Sequence, residues 1–255
     1  MPPIAGLAIA IGAWHFALAG GLVPPGSLPY PAQVAGVLVE MLGERQVWGS
    51  LWQTMRGALV GLIIATIIGV LLGTLLGRLR FADDSARLLI QFLRPIPPIA
   101  LLPLVLLLLG PSEAMKIALV VWGCAWPVML QTADGVRSID PLMLQVARSY
   151  RLGRAVTWRS VVVPAMSPYI MAGVRVAASV ALLVAVTAEL IGGAKGIGKM
   201  TSDAGLVGQT TRVYAYVVLA GMLGVLINVA LARLEGRLLG WHGPHRREAG
   251  HGGRG

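Results

Sequence analysis

The sequence predicts an all-α integral membrane protein of about six transmembrane helices. Three observations lead there. The chain is 56% hydrophobic and only 13% charged, with a mean hydropathy of +0.76, whereas a soluble domain carries roughly 25% charged residues. Its apolar residues fall in successive runs near the length a bilayer requires. Its basic residues collect in the short segments between those runs.

The first run, Ile4 to Val23, has 20 residues, and a helix needs about 20 to cross a hydrocarbon core of ~30 Å. No Lys or Arg precedes it, so the basic start of a signal peptide is missing and the run reads as a retained span. The second, Gly57 to Gly77, has 21 residues and no charge. The third candidate, Leu88 to Gly110, contains Arg94, Pro95, Pro97, Pro98 and Pro103. Each proline removes a backbone donor and disfavours helix in the residue before it. A short interfacial helix, a break at Arg94 to Pro98 and a short irregular span are expected. Broken backbone at membrane depth survives only where protein buries it or a polar cavity meets it, which makes these prolines candidate pathway residues. Ile117 to Ala133, Ile170 to Leu190 and Val213 to Ala232 complete the six.

Loop charge sets the orientation. With both termini inside, the inner segments 78–94, 134–169 and 233–255 hold 14 Lys and Arg against 6 outside, so the termini are expected in the cytoplasm. The same bias accounts for the net charge of +10 without nucleic acid, for which no aromatic interleaving is present. The single cysteine, Cys124, can form neither an intrachain disulfide nor a cysteine metal site.

Gly69, Gly73 and Gly77 recur at every fourth position of the second span, the spacing of a close-packing helix face in lipid. The longest inner segment, 134–169, carries ordered signals. Asp140-Pro141 reads as an N-cap with proline at the first helical position, followed by one short helix, then a second from Arg154 to Val163 stopped by Pro164. Periodicity alone leaves two readings open, a docking element or an amphipathic loop resting on the membrane. The chain thus divides into an N-terminal span with its outer loop (1–50), a transmembrane domain (51–242) and a Gly-, His- and Arg-rich tail (243–255) read as disordered.

Gln145 to Ala177, QVARSYRLGRAVTWRSVVVPAMSPYIMAGVRVA, resembles the EAA loop of bacterial ABC-transporter permeases. RPIPPIALLPLVLLLLG (Arg94 to Gly110), AELIGGAKGIG (Ala188 to Gly198) and Trp241-His242-Gly243 resemble segments of the nitrate/sulfonate/taurine importer permeases. The resemblance covers roughly residues 45 to 243. It implies a type I importer permease whose cytoplasmic two-helix coupling loop docks on a separate ATPase subunit. Its residues would be Gln145, Val146, Ala147, Arg148, Ser149, Tyr150, Arg151, Gly153, Arg154 and Pro164. ATP and Mg would sit on that partner, because the chain has no Walker-type motif and binds no cofactor itself. The further partners implied are a second permease copy, identical or related, an extracytoplasmic solute-binding protein and membrane lipid, in a bacterial inner membrane. The implied solute is a small anion such as a sulfonate, taurine or nitrate.

Two departures matter. The acid of the EAA triplet is replaced by Gln145, and Arg151 stands where the family has glycine. The turn between the two helices is therefore expected to be altered, or shifted to use Gly153. Among other residues, Glu189 is the only acid within an apolar run, as a gate or pathway residue with Gly192 and Gly193, or at headgroup level. Arg175 is expected to snorkel to the inner surface, Asn228 to bond across helices, and His15 has no partner for a metal. Of the competing classes, a secondary carrier or channel lacks the mid-membrane ionisable residues that it normally uses. A membrane enzyme lacks any catalytic motif.

Overall fold

The computed structural model describes residues 3–21, 24 and 26–238. Every regular element among them is helical: α1 (Pro3–Ala19), α2 (Pro31–Leu42), α3 (Arg45–Arg78), α4 (Arg80–Leu93), α5 (Leu102–Leu109), α6 (Glu113–Arg137), α7 (Pro141–Ser149), α8 (Arg154–Thr157), α9 (Val163–Gly192), α10 (Ile197–Leu206) and α11 (Thr210–Leu238). A 3₁₀ turn, Pro98–Leu101, leads into α5, and a π turn, Trp158–Val162, leads into α9.

Four helices, α3, α6, α9 and α11, are long and apolar enough to cross a membrane. A fifth crossing is the broken one: α4 and the Pro98–Leu109 segment meet at 79°, with the break at the prolines as expected. α1 stops at 17 residues, the lower limit for a span. Its 20-residue apolar run is cut short because Gly21, at φ +69°, takes the left-handed conformation that ends helices. Leu22 and Val23, the Trp241-His242-Gly243 motif and the tail 243–255 lie outside the described residues.

The centre of the bundle is a three-helix unit. Gly57, Gly61, Gly69, Gly73 and Gly77 of α3 face Lys116, Val120, Val128, Met129 and Thr132, and Val136 of α6 in turn. The two helices therefore run parallel, in register over five turns. A Cβ at Gly69 would lie 2.8 Å from Val128, and one at Gly77 2.6 Å from Val136, so only glycine permits this approach. Two parallel membrane helices need a return crossing between them, and residues 79–112 with their proline break supply it. α9 runs antiparallel to α6, with Gly173 against Val128 and Gly135 against Tyr169. The core of Ala58, Leu62, Ala65, Leu119, Cys124 and Ala177 fills the space between the three.

The outer loop is more ordered than its sequence suggested. α2 sits within it, its N-terminus started by Pro31. Val34 and Met41 pack with Ile197, Ala204 and Tyr216 of α10 and α11. α3 passes unbroken through residue 50, so segment 1–50 ends inside a helix and shares a core with the rest. Pro164 also differs from expectation, since it opens α9 rather than stopping the preceding helix. The π turn lies immediately before it, covering Ser160, whose carbonyl a proline ring at 164 would strike in a regular helix.

Candidate functional site: a docking loop and a buried polar lock

The two ends of the inner segment 134–169 belong to the flanking spans, α6 through Arg137 and α9 from Val163. Its free part runs from Ser138 to Val162 and is folded as a compact step. The Asp140 carboxylate accepts the Leu142 N–H at 2.8 Å, with Pro141 in the first helical position. α7 then ends in a closed cap. Leu152 N–H donates to the Ala147 carbonyl at 3.0 Å and Arg151 N–H to the Arg148 carbonyl at 2.9 Å. That cap requires a left-handed residue just past the helix, a position that glycine normally fills. Here Arg151 fills it, at φ +52°, the only described non-glycine residue with positive φ. The turn is neither altered nor shifted. Gly153 is extended, at φ −60°, and serves as the N-cap of α8.

The loop has an anchored side and a free side. Ala147 is buried, and α7 closes with Val161, Pro164 and Ala165 around an apolar cleft of about 750 Å³. Arg78, the last residue of α3, lays its guanidinium 3.9 Å above the Trp158 ring, tying the π turn to a spanning helix. Leu142, Met143 and Val146 line the mouth of that cleft and are exposed there, and Tyr150 is 76% exposed. Gln145, Arg148, Ser149 and Arg154 are exposed beside them. The step thus presents a mixed apolar and basic surface on a rigid base.

At the opposite end of the bundle lies a cluster of buried charge. Lys116 of α6 and Glu189 of α9, 1% and 0% exposed, form an ion pair at 2.6 Å. The ammonium also donates to the carbonyls of Gln53 and Lys195, each at 3.0 Å, so its three protons have three acceptors. The carboxylate further accepts from Thr54 Oγ1 at 2.8 Å and from Gly198 N–H at 3.0 Å. Thr54 Oγ1 in turn accepts the Ile197 N–H at 2.9 Å. Glu189 and Thr54 thereby satisfy the first N–H groups of α10, whose own cap residue, Gly196, has no side chain to offer. A Cβ on Gly196 would overlap the Glu189 carboxyl group, and one on Gly198 would lie 2.8 Å from Glu189 Cβ.

Glu189 is therefore enclosed by protein, its carboxylate facing Lys116, Thr54 and Gly198. Gly193 takes the left-handed position that ends α9, at φ +75°. Gly192 is buried, and a Cβ there would lie 2.7 Å from Met115 Cε, so both glycines shape the turn that carries the chain to the lock. At the broken crossing Pro98 packs on Gly123, Pro103 stands in the first turn of α5, and Pro95 and Pro97 are exposed. Arg175 pairs with Glu235 of α11 instead of standing alone. Lys116 and Thr54 were not singled out from the sequence. A usable signal existed, because Lys116 opens the fourth apolar run and Glu189 closes the fifth, which puts opposite charges at one end of antiparallel neighbours.

Comparison with known proteins adds independent findings. The family model described as "Binding-protein-dependent transport system inner membrane component" matches residues 65–240. The chain is 35% identical over 236 residues, 91% of its own length and 88% of the relative's, to a protein of Escherichia coli (strain K12) assigned as the aliphatic sulfonates transport permease SsuC. It is 33% identical over 155 residues, 61% of this chain and 56% of the relative, to the taurine transport system permease protein TauC of the same organism. Among solved structures, a chain of the inward-facing MetNI methionine ABC transporter superposes with a TM-score of 0.65 at 19% identity, covering 76% of this chain and 96% of that one. That likeness establishes a shared fold.

Proposed function

The chain belongs to the family of binding-protein-dependent transport system inner membrane components, and on that footing we propose that it forms half the pathway of an ATP-driven importer for small anions. As a member of that family it is a multi-pass inner-membrane permease subunit and not a catalytic one. Sulfonates and taurine come first as solutes, because the relatives that match it are named for them, and nitrate belongs to the same anion class. ATP and Mg are held by a separate ATPase subunit. A second permease, identical or related, supplies the other half of the pathway, and an extracytoplasmic binding protein delivers the solute. The loop end faces the cytoplasm, in line with the basic bias of its segments.

The observation that carries this reading is the step at 138–162. Its backbone is fixed by the Asp140 cap and the Arg151 turn, and Leu142, Met143, Val146 and Tyr150 are left exposed at its surface. A rigid element with exposed Tyr, Leu and Met is what a transmitted push requires. A loop resting on lipid would need no such closed turn. Pro95, Pro97, Pro98 and Pro103 remain the proposed pathway wall. The Lys116–Glu189 lock is read as the closure at the far end, which must move as ATP drives the two halves apart.

Isolation of the tagged chain from gently solubilised membranes tests the coupling role. The wild type is expected to bring down an ATPase subunit, and the Arg151→Glu/Arg154→Glu double variant to lose it while remaining folded. An ATPase that is absent from the wild type, or equally present in both, refutes the docking assignment.

A further inference from the structure

A second charged feature lies at the loop end, away from the docking step. Arg87 and Gln91 of α4 and Arg94, its C-cap, fall at helical spacing on one face. With Pro95 and with Arg137 of α6 they line a cleft of about 530 Å³. The neighbouring face of α4 is anchored, with Ala82, Ala86 and Ile90 packed on Leu76, Met129 and Ala133, and Ile90 also lines the cleft, which fixes one of its walls.

The charges in this cleft do not cancel. Its one carboxylate, Asp83, is committed to Arg137 at 2.7 Å, and Asp134 approaches the same guanidinium at 3.7 Å. Arg87 and Arg94 form no ion pair among the described residues. Positive-inside bias places arginines at this end of the bundle. It does not direct Arg87 and Arg94, exposed and without an ion pair among the described residues, to a cleft that already holds the paired Arg137, where their like charges oppose convergence. A bound anion removes that repulsion, and planar guanidinium forks match the oxygens of a sulfonate or phosphate. The Gln91 amide adds a neutral donor between them.

We propose that the cleft between α4 and α6 is an oxyanion-binding site at the loop end of the protein. Two sources present this chemistry there. One is a small sulfonate leaving the pathway at the foot of the broken crossing, which rests on the solute class proposed above. The other is the phosphate of an anionic lipid, independent of that reading. Phe81, Leu88, Leu89 and Phe92 are exposed on the face of α4 turned away from the cleft, as on a helix lying in the headgroup zone.

The full chain, purified with its complex, is placed in nanodiscs of phosphatidylcholine alone or with phosphatidylglycerol added. Calorimetry measures methanesulfonate binding in the first, and native mass spectrometry counts retained phosphatidylglycerol in the second. Arg87→Gln/Arg94→Gln is compared with Arg233→Gln/Arg237→Gln, which removes equal charge from exposed positions on α11. Loss of two charge-assisted contacts is expected to weaken binding at least about tenfold in the first variant only. Methanesulfonate binding with that pattern assigns the site to solute. Selective phosphatidylglycerol retention with that pattern, without methanesulfonate binding, assigns it to a lipid headgroup. Binding of neither probe, or equal loss in the two variants, overturns the proposal. Whether the chain serves sulfonate uptake is scored separately by transport, so failure of the solute class and failure of the site are distinguishable.

Discussion

Replacing Lys116 with methionine perturbs the protein where its charges are most deeply committed. The substitution keeps the length of the side chain and removes one ammonium. It leaves Glu189 buried with only Thr54 and Gly198 N–H as donors, and it orphans the carbonyls of Gln53 and Lys195. Breaking one partner out of a buried pair costs about 3–5 kcal/mol, because the surviving charge stays buried and uncompensated. For a chain of this size each kcal/mol moves the melting temperature by about 2–4 °C, so Lys116→Met is expected to lower it by roughly 6–20 °C. The double variant Lys116→Met/Glu189→Gln removes both charges and keeps an acceptor for Thr54. It is expected to recover most of the loss, with a coupling of up to about 3 kcal/mol between the two sites. The assay is a double-mutant cycle on the purified complex, followed by thermal unfolding of detergent-solubilised protein. A single variant within about 1 kcal/mol of wild type, smaller than the uncompensated charge demands, would refute the lock. So would a double variant whose cost is the plain sum of the singles.

Further outcomes follow from the same geometry. Arg151→Gly relieves a left-handed residue that carries a Cβ, gaining about 1 kcal/mol, and is expected to raise thermal stability without lowering ATPase recovery in the isolation experiment. Arg151→Val, β-branched at positive φ, should do the reverse in both. Gly73→Leu drives a side chain into Met129 and Thr132 of α6 and is expected to cost at least about 1–3 kcal/mol, seen as aggregation on size-exclusion chromatography, whereas Gly221→Leu, in open space, elutes as wild type. Gly196→Ala puts a methyl onto the Glu189 carboxyl group, and is expected to match the Lys116→Met loss of stability because it forces the same pair apart.

Much of the architecture was legible because the bilayer constrains it so strongly. Length and hydropathy located α3, α6, α9 and α11, and the proline cluster located the break between α4 and α5. What stayed hidden depended on pairings between distant residues. The apolar run 4–23 gave no sign that its glycines would end α1 early, since glycine is common inside membrane helices. α2 was masked because its packing on α10 and α11 exists only in three dimensions. The Pro164 reading failed because a π turn can shift the clash that normally makes proline a stop. The loop was readable from Asp140-Pro141 and from the resemblance, but the conformation of Arg151 was not, because sequence favours glycine at such a turn and a neighbouring Gly153 offered an easy substitute. In the lock, Glu189 stood out as a lone acid, while Lys116 passed as an ordinary flanking charge until α6 and α9 were brought side by side.

The central claim is that this chain passes solute under the drive of ATP, received through the step at 138–162. The direct measurement is uptake of labelled taurine or an alkanesulfonate into proteoliposomes holding the chain with its co-isolated ATPase and binding protein. The account predicts uptake that requires ATP inside the coupling compartment and is abolished by Arg151→Glu/Arg154→Glu. Uptake that persists without ATP and follows an imposed proton or sodium gradient would contradict it and make the chain a secondary carrier.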